Sequence, residues 1–147
     1  MTDEQVLSFL TRLPAHTGKL ATVRADGRPH VVPIWFAVDT TGASDAAPFG
    51  DIVFNTGVET LKGRSLRRDP RAALCVDDER PPFSFVAIEG TTTLSEDRGE
   101  VLRWATVIGG RYMGEDRAEA YGRRNGVAGE YLVRLRPTHV VAIADLA

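Results

Sequence analysis

The chain has 147 residues, 43% hydrophobic and 26% charged, which is the length and composition of one globular domain and leaves no room for a second. Its 18 basic and 20 acidic residues give a formal net charge of -2, so no global field draws it to nucleic acid or to a membrane surface. Cys75 is the one cysteine, which excludes an internal disulfide, and His16, His30 and His139 lack metal-ligand spacing, so no metal is expected. Asp3 and Glu4 stand where a targeting segment would be basic, and no apolar run approaches the ~20 residues that cross a bilayer. The expectation is a cytoplasmic, unprocessed protein.

Thr2 is placed to cap a first helix, with Gln5 at the capping-box position, and Val6, Leu7, Leu10 and Leu13 recur at helical spacing until Pro14. Gly18 to Arg24 reads as a strand, Ala25 to Arg28 as a hairpin turn, and Pro29 to Val38 as the returning strand. Pro33 cannot donate to a ladder, so this second strand belongs at an edge or bulge. Thr40 to Gly50 is a loop, Asp51 to Thr56 a third strand, and Gly57 breaks it. Glu59 to Asp69 then reads as a helix with a basic face, closed by Pro70.

Arg71 to Asp77 and Ser84 to Leu94 are the fourth and fifth strands, joined through Pro81-Pro82. Cys75, between Leu74 and Val76, is assigned to the core. Ser95 caps a helix carrying Val101, Leu102, Ala105 and Ile108, and Gly109-Gly110 ends or kinks it. Glu115 to Arg124 is a further helix, stopped at Asn125-Gly126, and Tyr131 to Ile143 a last strand, irregular at Pro137. Six strands with three or four flanking helices make a mainly β chain. Because the longest helical stretch comes late, a closed or nearly closed antiparallel barrel fits better than a doubly wound sheet. A small barrel is filled by its own side chains, so a ligand must sit outside it or between two barrels.

Chemistry concentrates around the third strand and the helix after it. If that helix starts at Glu59 or Thr60, its free N–H groups, the Thr56 and Thr60 hydroxyls, Lys62 and Arg64 can converge on one anion such as a phosphate. The same residues also fit a solvated face, with Lys62, Arg64, Arg67 and Arg68 paired to acids such as Asp69. Trp35 and Phe36 point to opposite faces of their strand, one into the core and one free to meet a ring. Trp104 and Tyr112 are read as packing residues.

A resemblance bears on this choice. Phe54-Asn55-Thr56, then Thr60-x-Lys62-Gly63-x-x-Leu66, then Arg68-Asp69-Pro70-Arg71-Ala72-Ala73 resembles the pyridoxamine 5'-phosphate oxidase superfamily. Leu20 to Trp35, with Asp26-Gly27-Arg28-Pro29-His30-Val31-Val32-Pro33-Ile34, resembles its actinobacterial branch that uses coenzyme F420. The similarity runs from about Leu20 to Leu94 and includes Ile88-Glu89-Gly90-Thr91.

The resemblance implies a six-stranded split β-barrel homodimer with two cofactor sites at its interface. Lys62 matches the phosphate-binding lysine and Thr60 a small hydroxyl position; Asn55 and Thr56 match the strand end beside the ring system. Val32, Pro33 and Ile34 match the strand that lines the ring, with Trp35 beside it. Members that bind flavin mononucleotide (FMN) carry arginine immediately before that lysine, where this chain has Leu61; Arg64 compensates, and the balance favours coenzyme F420 over FMN. An acidic oligoglutamate tail would look to Arg64, Arg67, Arg68, Arg111, Arg123 or Arg124.

The function implied is hydride transfer from reduced coenzyme F420 to a small unsaturated or aromatic acceptor, with no side chain standing out as the acid. The alternatives are an FMN-dependent oxidase or flavin reductase, and a non-catalytic flavin, deazaflavin or haem binder.

Overall fold

The computed structural model describes residues 1–147. The elements are α1 (Asp3–Thr11), β1 (Gly18–Val23), β2 (Pro29–Ile34), β3 (Ala37–Asp39), β4 (Asp51–Gly57), α2 (Leu61–Arg68), β5 (Arg71–Asp77), β6 (Phe85–Ser95), α3 (Arg98–Met113), α4 (Ala118–Asn125) and β7 (Glu130–Ile143). The capping box of α1 is complete: Thr2 Oγ1 accepts from the Gln5 N–H, and Gln5 Oε1 accepts from the Thr2 N–H.

There are seven strands, not six, because the apolar segment expected as Pro29 to Val38 is interrupted at Trp35-Phe36. Its residues are apolar on both sides of the break, so periodicity gave no sign of it. All pairings are antiparallel, in the order β2-β1-β5-β6-β7-β4-β3. The two edge strands, β2 and β3, are thus consecutive in the chain with only Trp35 and Phe36 between them. Three Cα–Cα steps span at most ~11 Å, so the sheet must roll until its edges nearly meet. No ladder joins β2 to β3, and the barrel stays open along that seam rather than closed. Pro29 and Pro33 lie on an edge, as a strand that gives up donors requires.

Strand parity sets what faces inward. Leu20, Phe36, Ile52, Phe54, Leu74, Val76, Val86, Ile88, Val133 and Leu135, all at most 2% exposed, fill the rolled sheet. A smaller cluster of Ala37, Val53, Val101, Trp104, Ile108 and Leu132 lies where α3 packs on β3, β4 and β7. Cys75 is not in the core: Leu74 and Val76 take the inward positions of β5, which turns Cys75 to the outer face, half-buried.

Three local expectations shift. Gly109-Gly110 neither ends nor kinks α3, which runs on to Met113. These glycines instead admit α4: a Cβ on Gly109 would lie 2.6 Å from Tyr121 Cβ, and one on Gly110 3.1 Å from Ala118 Cβ. The cap of α3 is Asp97, whose carboxylate accepts from the Glu100 N–H, while Ser95, two residues earlier, accepts from the Asp97 N–H. The segment from Glu115 starts as a short 3-10 turn, Glu115–Arg117, before α4. The irregularity at Pro137 is present as a register shift between β6 and β7 at Glu89/Gly90.

Candidate functional site

The β4–α2 junction is built by hydroxyls. Thr60 is the N-cap of α2: its Oγ1 accepts from the Gly63 N–H (3.1 Å), donates to the Gly57 carbonyl (2.8 Å) and lies 3.1 Å from Thr56 Oγ1. Thr56 is 4% exposed. Both hydroxyls, the buried one of Thr56 and that of the exposed Thr60, are therefore engaged in holding the turn together.

The basic residues of α2 separate by face. Residues two apart on a helix point in nearly opposite directions, so Lys62 and Arg64 do not converge. Lys62 is half-buried and lines a cleft; Arg64 is exposed on the other side. Arg67 donates to Tyr131 Oη (3.2 Å) and Arg68 to the Val23 carbonyl (2.8 Å), tying α2 to β7 and β1. Asp69 pairs with Arg71, whose side-chain hydrogen bonds hold its carboxyl well below the ordinary value.

The cleft holds about 230 Å³. Pro33, Ile34 and Trp35 from the end of β2, Asn55 from β4, Lys62 from α2 and Glu130 from β7 form one side. Ala105 and Ile108 from α3 and Asn125 from α4 form the other. Of the residues singled out in the sequence, the structure brings together Pro33, Ile34, Trp35, Asn55 and Lys62. Val32, Thr56, Thr60 and Arg64 do not line the cleft; Val32 turns inward against the main core. Asn55 shares the parity of Val53, and its amide donates to the Val101 carbonyl (3.4 Å), which aims the side chain along α3.

The break at Trp35-Phe36 sends two aromatic rings to two places. Phe36 is fully buried in the barrel, while Trp35 stacks on Tyr112 with centroids 5.0 Å apart and planes at 1°, and meets Tyr121 at 6.1 Å. Tyr112 Oη donates to the His16 carbonyl (2.6 Å) and accepts from the Phe36 N–H (3.3 Å), fixing the corner. Arg111 is not free for an acidic tail: its guanidinium lies over Phe36 (4.9 Å) and Tyr112 (5.4 Å) and donates to the Leu10 carbonyl. Arg64, Arg123 and Arg124 are exposed, with Arg123 near Glu119 and Arg124 over Tyr121.

Sequence reasoning missed Glu130, Asn125, Ala105 and Ile108, all brought in by the late helices and last strand. Burial pushes the Glu130 carboxyl above its ordinary range, and the Lys62 ammonium opposes that shift. A cation, a carboxyl and two carboxamides thus share a small space walled by apolar side chains. That suits an anionic group at Lys62 and a flat ring against Pro33, Ile34 and Trp35. The donor set fits a phosphate-bearing flavin or deazaflavin in kind, but the volume of one chain takes only part of it.

Comparison with known proteins finds similar folds. The family model described as pyridoxamine 5'-phosphate oxidase matches residues 2–143. A conserved hypothetical protein from Mycobacterium tuberculosis superposes with a TM-score of 0.77 at 24% identity, covering 97% of this chain and 84% of that one. A protein named as an F420 reductase gives 0.69 at 26% identity, covering 91% and 94%. The haem-storage protein HutZ from Vibrio cholerae gives 0.68 at 18% identity, covering 95% and 92%. No curated protein matches the chain.

Proposed function

Because the chain belongs to the pyridoxamine 5'-phosphate oxidase family, we propose that it is an oxidoreductase using reduced coenzyme F420 for hydride transfer to a small unsaturated or aromatic acceptor. The observation that carries this is Lys62, a half-buried cation without an ion-pair partner, in one cleft with the Pro33-Ile34-Trp35 wall. Leu61, where FMN-binding relatives carry arginine, favours the deazaflavin, as does the likeness to a protein named as an F420 reductase.

The cofactor, when bound, supplies the hydride. The protein's own residues hold and orient. Lys62 takes the phosphate side, Pro33 and Ile34 back the ring, and the Trp35–Tyr112 stack keeps that wall flat. Arg64, with Arg123 and Arg124, is left for an acidic tail.

The working unit is a homodimer. On the outer face the strands align in rows: Val31, Ala21, Ala73, Glu89 and His139 in one; Pro33, Lys19, Cys75, Ala87 and Val141 in the next; then Asp77, Phe85 and Ile143, so the apolar patch centres on the second row and is bordered by Glu89 and His139. Small residues run down its centre, Val31 is 67% exposed and Val141 41%, and Lys19 is neutralised by Asp77 at 2.6 Å. A second copy against this face covers the apolar patch and supplies the missing wall of the cofactor site.

The test is a side-by-side titration of cofactor-free protein with coenzyme F420 and FMN, by ligand fluorescence or tryptophan quenching, for the wild type and Lys62→Ala. Selective F420 binding that weakens by ~1 to 3 kcal/mol without Lys62 supports the proposal. Selective FMN binding replaces it with a flavin enzyme. Tight binding without turnover of any unsaturated acceptor replaces it with a carrier.

A further inference from the structure

Glu130 faces the same cleft as Lys62 yet has no partner of its own. Its Oε2 lies 3.1 Å from where a Cβ on Gly57 would stand, and Thr60 Cγ2 lies 3.0 Å from the same point. The carboxylate therefore rests over Gly57, in the turn that leads into α2. No hydrogen bond reaches its oxygens; burial and the Lys62 charge are the influences upon it. Lys62 is not within ion-pair distance, so the two charges stand on either side of an open gap. Every other side chain lining the cleft, from β2, β4, α3 and α4, is uncharged. The tyrosines behind the wall, Tyr112 and Tyr121, stack on Trp35 instead of entering it.

An anion arriving at Lys62 enters a space of about 230 Å³ that already holds a carboxylate. One ammonium cannot balance both, and like charges this close in a half-buried site repel strongly. Adding a proton to Glu130 removes the conflict and turns the carboxyl into a donor. We propose that Glu130 couples ligand binding to proton uptake: the cleft takes a phosphate ester at Lys62 together with a proton on Glu130, and releases the ester when that carboxyl ionises. The inference rests on Lys62 as the anion-holding residue, and it makes Glu130 a specificity-determining residue that disfavours anions at high pH.

Linkage sets the size of the effect. Between the titration of Glu130 in the free protein and its raised titration in the complex, uptake of one proton weakens binding about tenfold per pH unit. The experiment measures Kd for coenzyme F420 and for FMN between pH 5.5 and 8.5, with wild type and Glu130→Gln; the ligand's own titration is common to both proteins and cancels in the comparison. The expected result is a steep loss of affinity with pH in the wild type, a flat profile in Glu130→Gln, and tighter binding by the variant at pH 8.5.

The same slope in both proteins, with F420 bound, overturns the role of Glu130 and leaves the proposed cofactor standing. FMN binding alone, with a slope that Glu130→Gln removes, does the reverse. Failure of both ligands at every pH overturns both. Carbon-13 NMR of the Glu130 carboxyl gives a second readout: saturating ligand shifts its titration upward, and an unmoved titration refutes the coupling.

Discussion

One substitution, glycine to alanine, should have opposite effects at two helical positions, and the structure gives the sign of each. A Cβ on Gly63 would meet the Gly57 carbonyl oxygen at well under 3.0 Å and the Val58 carbonyl oxygen at 3.1 Å. Both are backbone atoms, so no rotamer relieves the clash. The first turn of α2 would have to withdraw by about 1 Å, against the Thr60 cap and the buried Ser65 and Leu66. Overpacking of this kind costs ~1 to 3 kcal/mol, and the gain in helix propensity offsets up to ~1 kcal/mol of it. Gly99, in the first turn of α3, is exposed, and its Cβ would meet only an Asp97 carboxylate oxygen at 3.3 Å. There the propensity gain dominates, at roughly 0.5 kcal/mol. Urea unfolding of cofactor-free protein should place the Gly63→Ala midpoint below the wild type and the Gly99→Ala midpoint at or above it. Heating should show about 2 to 4 °C for each kcal/mol in a chain of this length. A Gly63→Ala protein as stable as the wild type would refute the reasoning, since the turn would then yield freely and Lys62 would not be rigidly placed.

Tyr112→Phe leaves the His16 carbonyl and the Phe36 N–H without their partner and should cost ~1 to 3 kcal/mol by thermal unfolding; an unchanged midpoint would mean the corner does not depend on that hydroxyl. Val31→Asp places a charge at the edge of the apolar outer face and should convert a dimer to monomer in sedimentation velocity; a persisting dimer would move the interface elsewhere. Glu130→Gln carries a pH signature in stability as well as in binding. Burial raises the Glu130 carboxyl above 4.5 in the fold, so its stability contribution is complete below pH 4.5 and lost as pH rises through the folded value. The variant should be more stable than the wild type at pH 8 and indistinguishable from it below pH 4.5. A difference that persists in acid would assign the effect to something other than titration.

Local signals carried much of the architecture. The capping box at Thr2, the β1–β2 hairpin, β5 from Arg71 to Asp77, and the abrupt passage from β4 to α2 all rest on residues within a few positions of one another. The break at Trp35-Phe36 was not legible, because what splits the strand is the meeting of two sheet edges, a property of the rolled sheet. The placement of Cys75 was legible and misread: Leu74 and Val76 claim one parity, which leaves the other for the residue between them. The opposed directions of Lys62 and Arg64 were likewise contained in helical spacing. Glu130 and Asn125 had no such signal, since Asn125 enters the cleft through the packing of α4 on α3, and Glu130 through the pairing of β7 with β4, whose Gly57 lies more than seventy positions earlier.

The two sides of the cleft have different degrees of evolutionary freedom. Pro33, Ile34, Asn55, Lys62 and Glu130 sit on the sheet and the helix bound to it, where a change must respect ladder and register. Ala105, Ile108 and Asn125 sit on the α3–α4 hairpin, which joins no ladder and is held to the strands largely by side chains such as Val101, Trp104 and Ile108. That hairpin can be remodelled between descendants of one ancestor while the sheet and Lys62 are inherited intact. The wall that α3 and α4 supply can therefore change quickly in this architecture while the sheet side of the cleft stays the same.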